Sequence, residues 1–125
     1  MIHEKRRLHK NLLEKIFTDN LNGIAVPQEL HKAKTSWFGL PIICADKHLK
    51  RDLVAWLESK KVQTRNYFAG NILLHPAYSH LDDYKKYPNS NQVLDRVFWI
   101  GVSPLYSEEI FDYINNVLRE FNEKR

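Results

Sequence analysis

Ser36-Trp37-Phe38-Gly39-Leu40-Pro41-Ile42-Ile43-Cys44-Ala45-Asp46 is the stretch whose reading decides the fold. Aromatic and β-branched side chains suit a pleated, half-buried surface, so residues 37–44 read as a strand. Pro41 lacks a backbone N–H and points to an edge position or a bulge. Asp46 can accept from the free N–H groups of a first helical turn, and is expected to cap a helix over residues 49–60. Leu49, Leu53, Trp56 and Leu57 recur there at helical spacing, and Lys60-Lys61 suits the negative end of the helix dipole. Residues 62–68 then alternate as a second strand, with Arg65 where it ends, and Gly70-Asn71 breaks the pattern.

Upstream, residues 5–21 place Leu8, Leu12, Leu13, Ile16 and Phe17 on one helical stripe. Asn22-Gly23 supplies the stop, and Pro27 marks the connection that follows. Downstream, residues 72–87 read as irregular or briefly helical, and Ser90 is a candidate cap for a short helix through Leu94. Residues 97–102 are near-continuously apolar, as a strand buried on both faces would be. Ser107 is a candidate cap for the last helix, with Glu108 and Glu109 in its positive first turn. Tyr106 and Phe111 take the positions of a hydrophobic staple, and Ile110, Ile114, Val117, Leu118 and Phe121 continue the apolar stripe. Three strands with helices on one face make a two-layer α+β sandwich. Residues 1–30 read as a linking helix region and residues 31–125 as the α+β body of a single domain.

Composition narrows the chemistry. A chain of 125 residues with 43% apolar and 27% charged residues suits one soluble core. The net charge of +4 is scattered among carboxylates along the whole chain, without a nucleic-acid-binding motif, so nucleic acid is not an expected partner. The longest apolar runs are too short to span a bilayer, and the basic opening residues have no apolar signal core. A cytoplasmic location is the expectation. Cys44 is the single cysteine, so no internal disulfide forms, and its apolar context argues against a reactive thiolate. No Gly-x-Ser-x-Gly elbow is present. His75, His80, Asp82 and Asp83 invite a metal reading, but their spacing matches no standard ligand pattern and Pro76 interrupts any helix that would align them.

Several short motifs occur in a telling order: Ser36-Trp37-Phe38-Gly39-Leu40-Pro41, Thr64-Arg65, Gly70-Asn71, Pro76-Ala77-Tyr78, Asn89-Ser90 and Phe98-Trp99-Ile100-Gly101-Val102. Together they resemble the C-terminal small domain of the DegT/StrS-type nucleotide-sugar enzymes. Within that group the similarity is greatest to the lipopolysaccharide sugar 3-dehydratases related to CDP-4-keto-6-deoxyglucose 3-dehydrase. The opening helix, with Arg7, Asn11 and Leu12, is similar to the helix that joins the family's two domains. The resemblance implies a fold type I pyridoxal-phosphate enzyme acting on a nucleotide 4-keto-6-deoxyhexose, either removing the 3-hydroxyl or exchanging the keto group for an amine. It also implies that the pyridoxal or pyridoxamine phosphate, and the iron-sulfur cluster of some relatives, belong to a large domain not found in these residues. This chain is therefore expected to hold no cofactor and to be inactive alone. Its expected partners are that large domain, as another part of the polypeptide or a split-gene product, and the nucleotide sugar. Apolar surface left by the large domain would favour a homodimer through the first helix. A recruited protein-binding module is the rival reading.

Arg65 is the first candidate site residue, because a guanidinium offers a rigid fork for phosphate oxygens or sugar hydroxyls. A structural ion pair with a nearby carboxylate, or a solvated strand end, is its alternative. Asn71 could hydrogen-bond a sugar hydroxyl, or could serve the turn as residues after glycine often do. Tyr67 could line the same wall or join the core. Trp37, Phe38, Phe98 and Trp99 could stack on a nucleobase, although core packing is the commoner use of strand aromatics.

Overall fold

The computed structural model describes residues 1–125. In chain order it contains α1 (Ile2–Asn20), β1 (Ile24–Ala25), β2 (Gly39–Cys44), α2 (Lys47–Ser59), β3 (Thr64–Asn66), α3 (Pro88–Arg96), β4 (Val97–Gly101) and α4 (Glu108–Glu123). Single 3₁₀ turns at Ile72–Leu74 and Tyr84–Lys86 punctuate the long connection before α3. The sheet is wholly antiparallel, in the order β1-β2-β4-β3.

The α+β class stands, but the sheet has four strands rather than three. Ile24 and Ala25 pair with Cys44 and Ile43, a two-residue strand too short to carry any alternation in the sequence. The left-handed backbone at Gly23 turns the chain from α1 into that strand. Pro41 also needs correcting, because β2 is a central strand. Phe38 O accepts from Val102 N at 2.8 Å, so by alternation the odd residues of β2 direct their backbone toward β1. β1 ends opposite Ile43, so the N–H that Pro41 lacks would have had no partner.

One face of the sheet is dry. Leu40, Ile42 and Cys44 of β2 and Phe98 and Ile100 of β4 meet Leu13, Phe17 and Leu21 of α1, Leu49, Leu53 and Leu57 of α2, and Ile114, Val117, Leu118 and Phe121 of α4. Burial pushes the Cys44 thiol up to about 11, so it behaves as an apolar filler.

Local signals explain most boundaries. Asp46 Oδ1 accepts from His48 N and Leu49 N at 2.8 and 2.9 Å, the expected cap. α2 ends in a Schellman turn: Val62 N donates to Leu57 O and Lys61 N to Glu58 O, with Lys61 held at φ 62°. Ser107 occupies the N-cap of α4, but its hydroxyl makes no capping bond, and only its carbonyl receives Ile110 N and Phe111 N. The staple does form, with the Tyr106 and Phe111 rings 6.0 Å apart edge to face. α3 starts at Pro88 rather than behind a Ser90 cap, as a proline in the first turn permits.

α1 is rotated from its expected orientation. Leu13 and Phe17 are buried as expected, but Leu8 and Leu12 face outward while His9 and Lys10 turn in. Each inward polar group has a partner. His9 Nδ1 meets Ser103 O at 2.6 Å, so that nitrogen carries the proton, and Lys10 is ion-paired to Glu14. Burial raises the Glu14 pKa, but hydrogen bonds from Lys10 and Gln28 outweigh it and hold the carboxyl below its ordinary value.

The outer edge of β3 is short and occupied. Glu58 Oε1 accepts from both Thr64 N and Thr64 Oγ1 at 2.6 Å. Asn66 O receives Phe68 N at 2.7 Å and Trp99 Nε1 at 3.1 Å.

Candidate functional site

The second face of the sheet is covered by none of the helices that pack on the first. Directly opposed residues of an antiparallel pair share a face, so Pro41, Trp99 and Arg65, which are in register across β2, β4 and β3, stand together there. Tyr67 lies in the turn just past β3 and borders the groove next to this row.

Beside this row lies a groove of about 200 Å³ lined by Thr35, Ser36, Trp37, Phe38, Gly39, Pro41, Tyr67, Phe68 and Trp99. Gly39 makes it possible. A β-carbon there would meet Trp99 Cε3 at 2.5 Å, so the absent side chain lets the indole lie flat across β2. Phe38 meets that indole edge to face at 5.3 Å and is 56% exposed.

The approach to β2 is fixed from α1. Arg7 Nε donates to Thr35 O at 3.0 Å and Arg7 Nη2 to Lys34 O at 2.8 Å, and His3 Nδ1 lies 2.9 Å from Ser36 Oγ. The Lys10 ammonium sits 5.2 Å from the centre of the Trp37 ring. Thr35 N also donates to Glu29, and that hydrogen bond holds the Glu29 carboxyl below its usual range.

Arg65 is exposed, and its guanidinium makes no hydrogen bond or ion pair. Glu58, whose carboxylate senses Arg65, is taken up by Thr64, and those hydrogen bonds lower its pKa. The structural ion pair entertained for Arg65 is therefore absent.

Arg65 and Tyr67 thus share one face, while Asn71 is kept apart from them. Asn71 is 4% exposed. Its Oδ1 accepts from Leu73 N at 3.0 Å, and its Nδ2 donates to Asn91 Oδ1 at 2.8 Å and Tyr84 O at 3.3 Å. These bonds fasten the turn after β3 to α3 and engage both amide hydrogens inside the fold. Of the aromatics considered for stacking, Trp37, Phe38 and Trp99 line the groove, whereas Phe98 is fully buried under the helices. Phe68 belongs to the groove as well, and nothing in its sequence context marks it.

No group of three or more His, Cys, Asp or Glu side chains is gathered anywhere. Asp82 is engaged by Lys86 and Tyr87, and His75 Nε2 lies 3.4 Å from Ala69 O. A pyridoxal-phosphate cradle does not fit these residues. A β-carbon would run into Trp99 at Gly39 and Leu94 at Gly70, both at 2.5 Å, and would press on Leu49 at Gly23, so these glycines leave no cradle for a phosphate. The lysines that are not exposed are engaged too, Lys10 with Glu14, Lys50 with Leu94 O at 2.6 Å and Lys60 with Glu120 at 2.7 Å. No helix is long and apolar enough to cross a membrane.

Known proteins are similar to this chain in sequence and in fold. The dTDP-4-dehydro-2,6-dideoxy-D-glucose 3-dehydratase of Saccharopolyspora spinosa is 37% identical over 122 residues, which are 94% of this chain and 26% of that protein. The lipopolysaccharide biosynthesis protein RfbH of Salmonella typhimurium is 28% identical over 123 residues, again 94% of this chain and 28% of the relative. The chain thus spans about a quarter of the length of these relatives. The solved structure of E. coli GDP-4-keto-6-deoxy-D-mannose-3-dehydratase with bound hydrated PLP superposes with a TM-score of 0.74 at 22% identity, over 92% of this chain and 30% of that one. That likeness establishes the fold. The model of one family matches residues 1–119, nearly the whole chain, and on that match this chain belongs to the DegT/DnrJ/EryC1/StrS aminotransferase family.

Proposed function

We propose that this chain forms one wall of a nucleotide-sugar cleft in a pyridoxal-phosphate enzyme that removes the 3-hydroxyl of a nucleotide 4-keto-6-deoxyhexose for surface polysaccharide. The observation that carries the reading is the exposed, unpaired Arg65, in register with Trp99 and Pro41 of an aromatic groove on the sheet face away from α1, α2 and α4. An unpaired cation on the same sheet face as an aromatic groove suits a ligand with an anionic diphosphate and a ring of mixed polarity. Arg65 holds an anionic or hydroxyl oxygen, Tyr67 lines the wall, and Asn71 keeps the turn between them and α3 in place. Cofactor chemistry belongs to the remainder of such an enzyme, and no step of it is assigned to these residues. The names of the two relatives quoted support dehydration and lipopolysaccharide synthesis as the setting.

Transamination is the second reading, supported by the family's description. By the family resemblance, the residue separating the two chemistries lies in the large domain.

Titration calorimetry of the chain with dTDP-glucose tests the wall. Binding that Arg65→Ala weakens about ten- to hundredfold, with an unchanged circular dichroism spectrum, is expected for loss of a charge-assisted contact. Equal affinity in the variant would sink the assignment of Arg65. No heat from the unmodified chain would favour the recruited protein-binding module instead.

A further inference from the structure

Phe68 is the residue that the fold holds at a cost without burying it. Its φ is 52°, in the left-handed region that a bulky side chain rarely occupies. Such strain persists where the surroundings over-determine it, and here they do. Phe68 N donates to Asn66 O at 2.7 Å on one side, and Gly70 N donates to Tyr67 O at 3.3 Å on the other. Gly70 is itself left-handed and lies against Leu94, and Asn71 is locked to Tyr84 and Asn91. A segment fixed this firmly usually places a ring into a core. Phe68 is instead 68% exposed and takes no part in the hydrophobic core. Its neighbour is Tyr67, edge to face at 5.5 Å, and its ring borders the groove shared with Trp99 and Pro41.

We propose that Phe68 is a specificity-determining residue, held in the left-handed conformation so that its ring closes the groove over the apolar face of the ligand's deoxyhexose ring. The proposal rests on the nucleotide-sugar reading of the same face and deepens it. Arg65 is the charge complement for the diphosphate, and the aromatic walls leave a space suited to the C–H face and methyl group of a 6-deoxy sugar. A hydrated, hydroxyl-rich surface would gain little from such walls.

The test compares dTDP-6-deoxyglucose with dTDP alone, on the unmodified chain and on Phe68→Gly and Phe68→Tyr. The unmodified chain and Phe68→Tyr are expected to prefer the sugar nucleotide about three- to tenfold, and Phe68→Gly to lose that preference while still binding dTDP. Glycine relieves the backbone, so Phe68→Gly is also expected to keep its melting temperature or gain up to about 4 °C. Binding with an undiminished preference in Phe68→Gly overturns this proposal and leaves the Arg65 reading intact. A clear fall in melting temperature for Phe68→Gly also overturns it, because the ring would then serve packing. Failure of the unmodified chain to bind either ligand overturns the cleft reading and this proposal with it.

Discussion

A β-carbon on Gly70 would stand 2.5 Å from the Cβ of Leu94 and 2.9 Å from its Cα, so the turn after β3 touches the backbone of α3 itself. Gly70 is also left-handed, at φ 63°. Gly70→Ala therefore meets two penalties, backbone strain and a clash that no side-chain rotation relieves. The expected loss is about 2–4 kcal/mol in urea denaturation. Gly23 makes the comparison informative, because it shares the backbone (φ 77°) but its nearest neighbour is the flexible tip of Leu49 at 3.3 Å. Gly23→Ala should lose about 1–2 kcal/mol. Equal losses would show that the contact with Leu94 is not decisive.

Lys61 holds the left-handed position of the Schellman turn, a place where glycine has no steric penalty. Lys61→Gly should stabilise the chain by about 0.5–1 kcal/mol, after the greater freedom of glycine in the unfolded state is deducted. A lower urea midpoint in the variant would contradict the reading of this turn.

Hydrogen bonds from Lys86, Asp83 N and the Tyr87 hydroxyl hold the Asp82 carboxyl down at about 2. Its folded pKa thus lies below the unfolded value of about 4. The contribution is complete above pH of about 4 and is lost as pH falls through about 2. The Tyr87 ring resonances should follow this titration by NMR, and in Asp82→Asn they should not. A Tyr87 titration that survives in the variant would place its cause elsewhere.

Leu8 and Leu12 lie one turn apart on α1 and are 57% and 40% exposed. Self-association through this stripe is expected at high protein concentration, and light scattering should report a dimer mass. The double variant Leu8→Glu, Leu12→Glu should report a monomer. A wild-type particle that stays monomeric at all concentrations would count against α1 as the contact.

These readings separate what a sequence displays from what it conceals. The strands and helices that carry long apolar patterns were legible, because Leu40 to Cys44, Val97 to Val102 and the α4 stripe each record their own burial, although the expected start of the first strand at Trp37 lies two residues ahead of β2. β1 was not legible, since a two-residue strand exists only through its partner on β2. The orientation of α1 was misread for a similar reason. Hydrophobicity ranks Leu8 above His9 and Lys10, but Ser103 O and Glu14 satisfy the two polar residues, and that removes the penalty for turning them inward. Arg65 and Tyr67 were expected at the site from a strand over residues 62–68, but β3 spans only Thr64–Asn66, so Tyr67 stands in the turn beyond it. Asn71 was visible as a polar residue after glycine, but its engagement with Tyr84 and Asn91 depends on contacts across the chain. Phe68 left no trace in the pattern at all, because a backbone angle is not written in residue type.

The edges of the sheet bear on the behaviour of this molecule in a crowded solution. An unpaired strand is a template on which another chain can add, and successive additions grow a ribbon. β1 offers two residues, and β3 offers three whose outward groups at Thr64 and Asn66 are already taken by Glu58, Phe68 and Trp99. A polypeptide that exposes this many aromatic rings would be expected to grow into fibres if its sheet could be extended. The carboxylate of a single glutamate at the end of α2 helps to keep it from doing so.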